Sequence, residues 1–138
     1  MKIHLKRNEK LFLNGAVIRL DRRGSIELLN DAQFLLEAHI MQQEDAKRPL
    51  EQVYFIVQTM LMDPGNAQMV MHLFRAFAAK LRTLARTPAY KSCLEDVERM
   101  VEGADYFGAL KVLRRSFQLD DENAAPAAAT SVSAERAA

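Results

Sequence analysis

Apolar and polar positions alternate along the first 39 residues and follow a helical period thereafter. Ile3 and Leu5, then Leu11 and Leu13, stand two apart with polar residues between, the spacing of strands buried on one face. Asn14-Gly15 follows at once and marks a hairpin. Ala16–Leu20 is a second apolar run, and Asp21-Arg22-Arg23-Gly24 is a turn in which Gly24 is placed to take positive φ. Residues 25–29 and 33–36 continue as strands, with Asn30-Asp31 between them. Leu28-Leu29 and Leu35-Leu36 break the alternation, so pattern alone does not set the register there.

From residue 40 the period changes. Residues 42–46 read as a short helix or turn, and Pro49 suits a first helical position. Leu50, Val53, Tyr54, Val57, Met60 and Leu61 then form a helical stripe, stopped by Asp63-Pro64-Gly65. Asn66 caps a second helix with the stripe Val70, Leu73, Phe74, Phe77, Leu81 and Leu84, closed by Thr87-Pro88. Tyr90, Leu94, Val97 and Val101 mark a third, ended by Gly103; Tyr106, Ala109, Leu110, Leu113 and Phe117 mark a fourth. The pattern predicts an α+β fold: an N-terminal antiparallel β-sheet of about five short strands (1–39), then a C-terminal bundle of three to four α-helices (40–118). So small a sheet must pack on the helices or on a second copy of the chain, which makes a homo-oligomer one expectation. Residues 119–138 turn to Ala, Ser, Thr and acid and read as a disordered tail.

Charge sharpens this picture. The chain of 138 residues carries 19 Lys+Arg against 18 Asp+Glu, a net +1 that excludes loose polyelectrolyte binding to nucleic acid. The near-neutral sum hides local blocks: residues 1–30 and 63–92 are each +4, while the intervening and C-terminal stretches are acidic. The first block holds Lys6, Arg7, Lys10, Arg19, Arg22 and Arg23 at strand ends and turns, where guanidinium and ammonium groups suit phosphates. The alternative reading is a sheet edge blunted by charge against aggregation, with Phe12 and Phe34 in the core and no aromatic stacking platform. The second block holds Arg75, Arg82 and Arg86, which fall within about 40° on a helix. They form either a second basic face or an ordinary polar outer face.

Catalytic chemistry finds little support. His4, His39 and His72 are not at metal-ligand spacing, and Cys93 reads as a packed thiol. Phosphate-loop, dinucleotide and nucleophile-elbow motifs are absent, so the sequence points away from an enzyme. With no secretory leader, no apolar run long enough for a membrane span and one thiol, the expected compartment is the cytoplasm.

Several short motifs, taken in order, resemble the flagellum biosynthesis repressor FlbT family. They are Asn14-Gly15-Ala16-Val17, Asp21-Arg22-Arg23-Gly24, Asn30, Ile40-Met41-Gln42 with Glu44-Asp45-Ala46, Pro49, and Tyr54-Phe55 with Gln58 and Met60. Asp105-Tyr106-Phe107 and Ala109-Leu110 extend the likeness to about residue 118. The resemblance implies a post-transcriptional regulator of flagellin that associates with the 5′ untranslated region of flagellin mRNA and promotes its decay or blocks translation. A small FlaF-type regulatory protein is the implied partner, and no cofactor is implied. Some relatives support flagellin production instead. The stretch Leu35-Leu36-Glu37-Ala38-His39 departs from the family's Leu-Arg-Glu-x-Asp, losing an Arg and an Asp. Arg22 and Arg23 lie in the matching Asp-Arg-Arg motif and head the candidate RNA contacts. The alternative is a protein-interaction adaptor that reaches RNA only through a partner.

Overall fold

The computed structural model describes residues 1–124. It has five antiparallel strands followed by helices, so the α+β reading holds, but the strands divide into two sheets. β1 (Lys2–Leu5) pairs with β4 (Gly24–Glu27); β2 (Lys10–Leu13) lies between β3 (Ala16–Arg19) and β5 (Phe34–Leu36). Asn14 and Gly15, at φ 48° and 85°, close the β2–β3 hairpin with Leu13 opposite Ala16, the geometry a two-residue primed turn requires. Gly24 does not take the expected positive φ: it opens β4, and a Cβ there would meet Leu20 Cδ1 at 3.2 Å.

The two sheets face each other over a small core of Ile3, Leu5, Leu11 and Phe34, joined by the half-buried Leu13, Leu20, Ile26, Leu28 and Leu36. The opposite face of the three-stranded sheet sends Phe12 and Leu35 into the helical core. That sheet is thus the middle layer. β5 is apolar on both faces, which is why Leu35-Leu36 breaks the alternation.

The helices are α1 (Pro49–Met62), α2 (Ala67–Thr83), α3 (Pro88–Glu102) and α4 (Tyr106–Ser116). Every residue of the expected α1 and α3 stripes is buried. Thr87 opens α3, its Oγ1 accepting the Tyr90 N–H at 3.1 Å. Asn66 stands at the α2 N-cap, but its side chain turns away to donate to Asp63 Oδ2. α1 packs on α2 and α4, and α3 packs on α4 and α2. No helix among the described residues is long and apolar enough to cross a membrane.

Gln33 joins sandwich to bundle. Its Oε1 accepts the N–H groups of Tyr106 and Phe107 at 2.8 and 3.0 Å, and its Nε2 donates to the Ala104 carbonyl. Two amides left over at the start of α4 are thereby satisfied from another layer. Gln33→Ala should lower unfolding free energy by about 1–2 kcal/mol, read from the denaturant midpoint at unchanged slope. An unshifted midpoint would show that water replaces the cap.

Residues 119–124, expected to belong to a structureless tail, are helical. Asp120 is buried, accepting the Leu50 N–H at the start of α1 and the Tyr90 hydroxyl. Asp121 pairs with Arg48 at 2.6 Å, and Asn123 accepts the Arg86 N–H and donates to the Leu84 carbonyl. Polar side chains fasten this segment, so apolar periodicity does not announce it. The remainder of that expected tail, 125–138, lies outside the described residues.

Candidate nucleic-acid interface

The strand directions fix where the first basic block goes. β1 runs toward Leu5, β2 starts at Lys10, β3 runs toward Arg19 and β4 starts at Gly24. The antiparallel registers place these four termini at one end of the sandwich. Lys6 and Arg7 follow β1, Arg22 and Arg23 precede β4, and Lys10 and Arg19 are directly opposed across the β2–β3 ladder. All six side chains are exposed. The sequence groups them only in order; the fold brings them to one end.

Main chain holds that end together. Asn8, at φ 63°, donates its N–H to the Leu20 carbonyl at 2.9 Å, tying the β1–β2 link to the β3–β4 loop across the two sheets. Asparagine tolerates this left-handed backbone better than most residues, which is the one local signal that singles out Asn8. Leu20 turns inward to plug the end of the sandwich core.

The acids at this end are occupied with backbone. Glu9 Oε1 accepts the Lys6 N–H at 2.8 Å, and Glu37 Oε1 accepts the Lys10 N–H at 2.7 Å, beyond the last pair of the β2–β5 ladder. Arg22 meets Asp21 at 3.6 Å with both side chains in solvent, a pairing worth little. Among the described residues this is the sole ion pair of the six cations. An incoming polyanion therefore meets guanidinium and ammonium groups that no strong partner holds.

The aromatics divide. Phe34 is buried against Phe107, with ring centroids 4.5 Å apart. Phe12 packs against the edge of the helical core and is half-buried there, its open side lining a groove between the middle sheet and α1 with Lys10, Ile40, Met41, Phe55 and Met62. Glu37, Glu44 and Asp63 also line that groove, so the cationic end and not the groove has the sign a polyanion needs.

The second basic block is neutralised. Arg75 forms a two-pronged pair with Glu102, at 2.7 and 2.8 Å, and holds that carboxyl below the ordinary range. Arg82 meets Glu98 at 2.7 Å. These arginines staple α2 to α3 and present no free basic face. Of the three, only Arg86 has an unpaired guanidinium among the described residues. Glu98 and Glu102 lie on a different helix from their partners, so spacing within α2 does not reveal the pairing.

Cys93 is buried and burial pushes its thiol pKa up, the behaviour of a packed side chain. His39 faces Arg114, and partial burial together with that charge lowers its pKa. Among the described residues no three His, Cys, Asp or Glu side chains gather to hold a metal ion.

Comparison with known proteins adds a family-level finding. The family model described as "Flagellar protein FlbT" matches residues 1–123. A relative from Mesorhizobium japonicum, named "Probable flagellum biosynthesis repressor protein FlbT", is 44% identical over 87% of this chain and 82% of its own. One from Chelativorans sp. bears the same name at 41% identity over 88% and 83%. A third, "Probable flagellum biosynthesis repressor protein FlbT 2" of Bradyrhizobium diazoefficiens, is 40% identical over 87% and 88%. No solved structure matches.

Proposed function

This chain belongs to the FlbT family of flagellar proteins, and from that premise we propose that it represses flagellin synthesis after transcription, binding the 5′ untranslated region of flagellin mRNA through the cationic end of its sandwich. The supporting observation is the convergence of Lys6, Arg7, Lys10, Arg19, Arg22 and Arg23 at one end, held by the Asn8–Leu20 main-chain bond. The cations there neutralise leader phosphates and release the counterions condensed on them, and unpaired bases of the leader stack on the guanidinium planes. Association with the leader blocks translation or exposes the message to decay; the site of action is the cytoplasm, and no catalysis by this chain is required. A FlaF-type regulatory protein acts beside it.

Arg22→Ala/Arg23→Ala tests the assignment. Binding of a flagellin leader RNA should weaken about tenfold, and the log–log salt slope should shrink by about 1.4, near 0.7 for each phosphate no longer neutralised. Equal affinity and equal slope for both proteins would remove the cationic end from the mechanism. Regulation in cells without any direct binding in this assay would favour the adaptor reading.

A further inference from the structure

Two arginines among the described residues are half-buried, Arg48 and Arg114. Arg48 has its anions, Glu51 and Asp121. Arg114, on α4, pairs with no carboxylate among the described residues. Its one hydrogen bond there runs from Nη1 to the Tyr54 hydroxyl at 3.0 Å. That hydroxyl donates its own proton to the His39 carbonyl at 2.5 Å. Tyr54 thus fixes where the guanidinium stands, but a single neutral oxygen poorly compensates a charge drawn partly out of water. Most donors of the planar fork have no acceptor in the protein.

The fork opens on a pocket of about 260 Å³ that Arg114 shares with His39, Met41, Asp45, Tyr54 and Phe117. Burial, with the Arg114 charge beside it, lowers the His39 pKa, so the ring is neutral at pH 7 and offers an N–H. The acid on the wall, Asp45, is exposed and forms no ion pair among the described residues. Ala38 joins this pocket to the cationic end of the sandwich. It lines both the pocket and the shallow cleft bounded by Lys6, Arg7 and Glu37. Glu37, standing between the two, has a carboxylate oxygen engaged by the Lys10 N–H.

We propose that Arg114 and His39 form a phosphate-binding site, and that the phosphate it takes belongs to the RNA strand crossing the adjoining cationic end. The free edge of the guanidinium engages two phosphate oxygens, and the His39 N–H reaches a third. Met41 and Phe117 give the pocket an apolar side for the sugar or base that carries the phosphate. The route past Ala38 lets one strand meet Lys6 and Arg7 and then Arg114 without leaving the surface. RNA as the source of the phosphate presupposes the function proposed above; affinity for phosphate itself does not.

His39 is the reporter. In the full chain at fixed ionic strength, inorganic phosphate should move the His39 ring resonances with half-saturation at about 1–10 mM. It should also raise the pH at which His39 titrates, because an anion beside the ring favours the imidazolium against Arg114. His72, exposed on α2, should stay still. Arg114→Gln should abolish the response, and Asp45→Asn, which removes the carboxylate from the wall, should tighten phosphate about threefold. Leader RNA should move the same resonances; Arg114→Gln should weaken RNA binding about threefold and shrink the log–log salt slope by about 0.7, one phosphate. Both variants should keep the wild-type circular dichroism; if Arg114→Gln loses its fold, the exposed Asp45→Asn carries the comparison. A His39 resonance that neither phosphate nor RNA moves, a response that survives Arg114→Gln, or one that Asp45→Asn leaves unchanged overturns the site. A response to inorganic phosphate alone, while RNA binds without moving His39, overturns the strand as the source and leaves free phosphate. RNA that fails to bind at all overturns the function proposed above, and the phosphate titration still decides the site.

Discussion

Phe34→Ala should remove about 3–5 kcal/mol of stability and unfold the sandwich ahead of the helices. Phe34 is one of four fully buried side chains in the inter-sheet core, against eighteen in the helical core. Truncation there leaves a hole that three neighbours cannot fill, and it breaks the ring packing on Phe107 that anchors β5 to α4. Amide exchange should accelerate first in β1 and β4, which meet the rest of the fold through this core, while α1 and α3 stay protected. RNA binding should fall with the sandwich although no cation has been touched. Uniform acceleration across strands and helices would show a single cooperative unit.

Asp120→Ala should cost about 2–3 kcal/mol, because it strands the Leu50 N–H and the Tyr90 hydroxyl in a buried site. Asp120→Asn keeps an oxygen for these donors and should cost less. The two also separate on pH. Burial raises the Asp120 pKa above the usual carboxylate value, outweighing the Leu50 and Tyr90 hydrogen bonds that favour the anion. The folded chain therefore holds this proton more tightly than the unfolded one. Stability from this group is fully present below the ordinary pKa and declines as pH rises through the raised one. Between those two values the wild type should lose stability relative to Asp120→Asn as pH increases. Denaturant midpoints of both proteins across that range give the difference directly, and parallel curves would remove Asp120 from the acid response.

Elements set by neighbouring residues are legible in the sequence. Ile3 and Leu5 alternate because only one face of β1 is covered, and Asn14-Gly15 names its own turn. The α1 and α3 stripes can be read residue for residue, since each helix has one buried face. Elements set by distant partners are not. The division into two sheets follows from β1 choosing β4 across the 18 residues between them, a pairing no local pattern encodes. α2 looks like α1 in periodicity, yet Leu73 and Leu84 are exposed, because a stripe says which residues want cover and not how much cover the neighbours provide. The cationic end is legible as a set of residues, since turn residues sit at strand ends. Its unity is not, because it rests on the hydrogen bond from Asn8 to Leu20.

That bond is made by peptide groups alone, and this separates frame from lettering. Lys6, Arg7, Arg22 and Arg23 can each be exchanged while the two loops remain laced by atoms that every residue but proline carries at the donor position. Charge at this end can thus be dialled one position at a time on a fixed backbone. Asn8→Pro does the converse: it keeps every cation and cuts the lace.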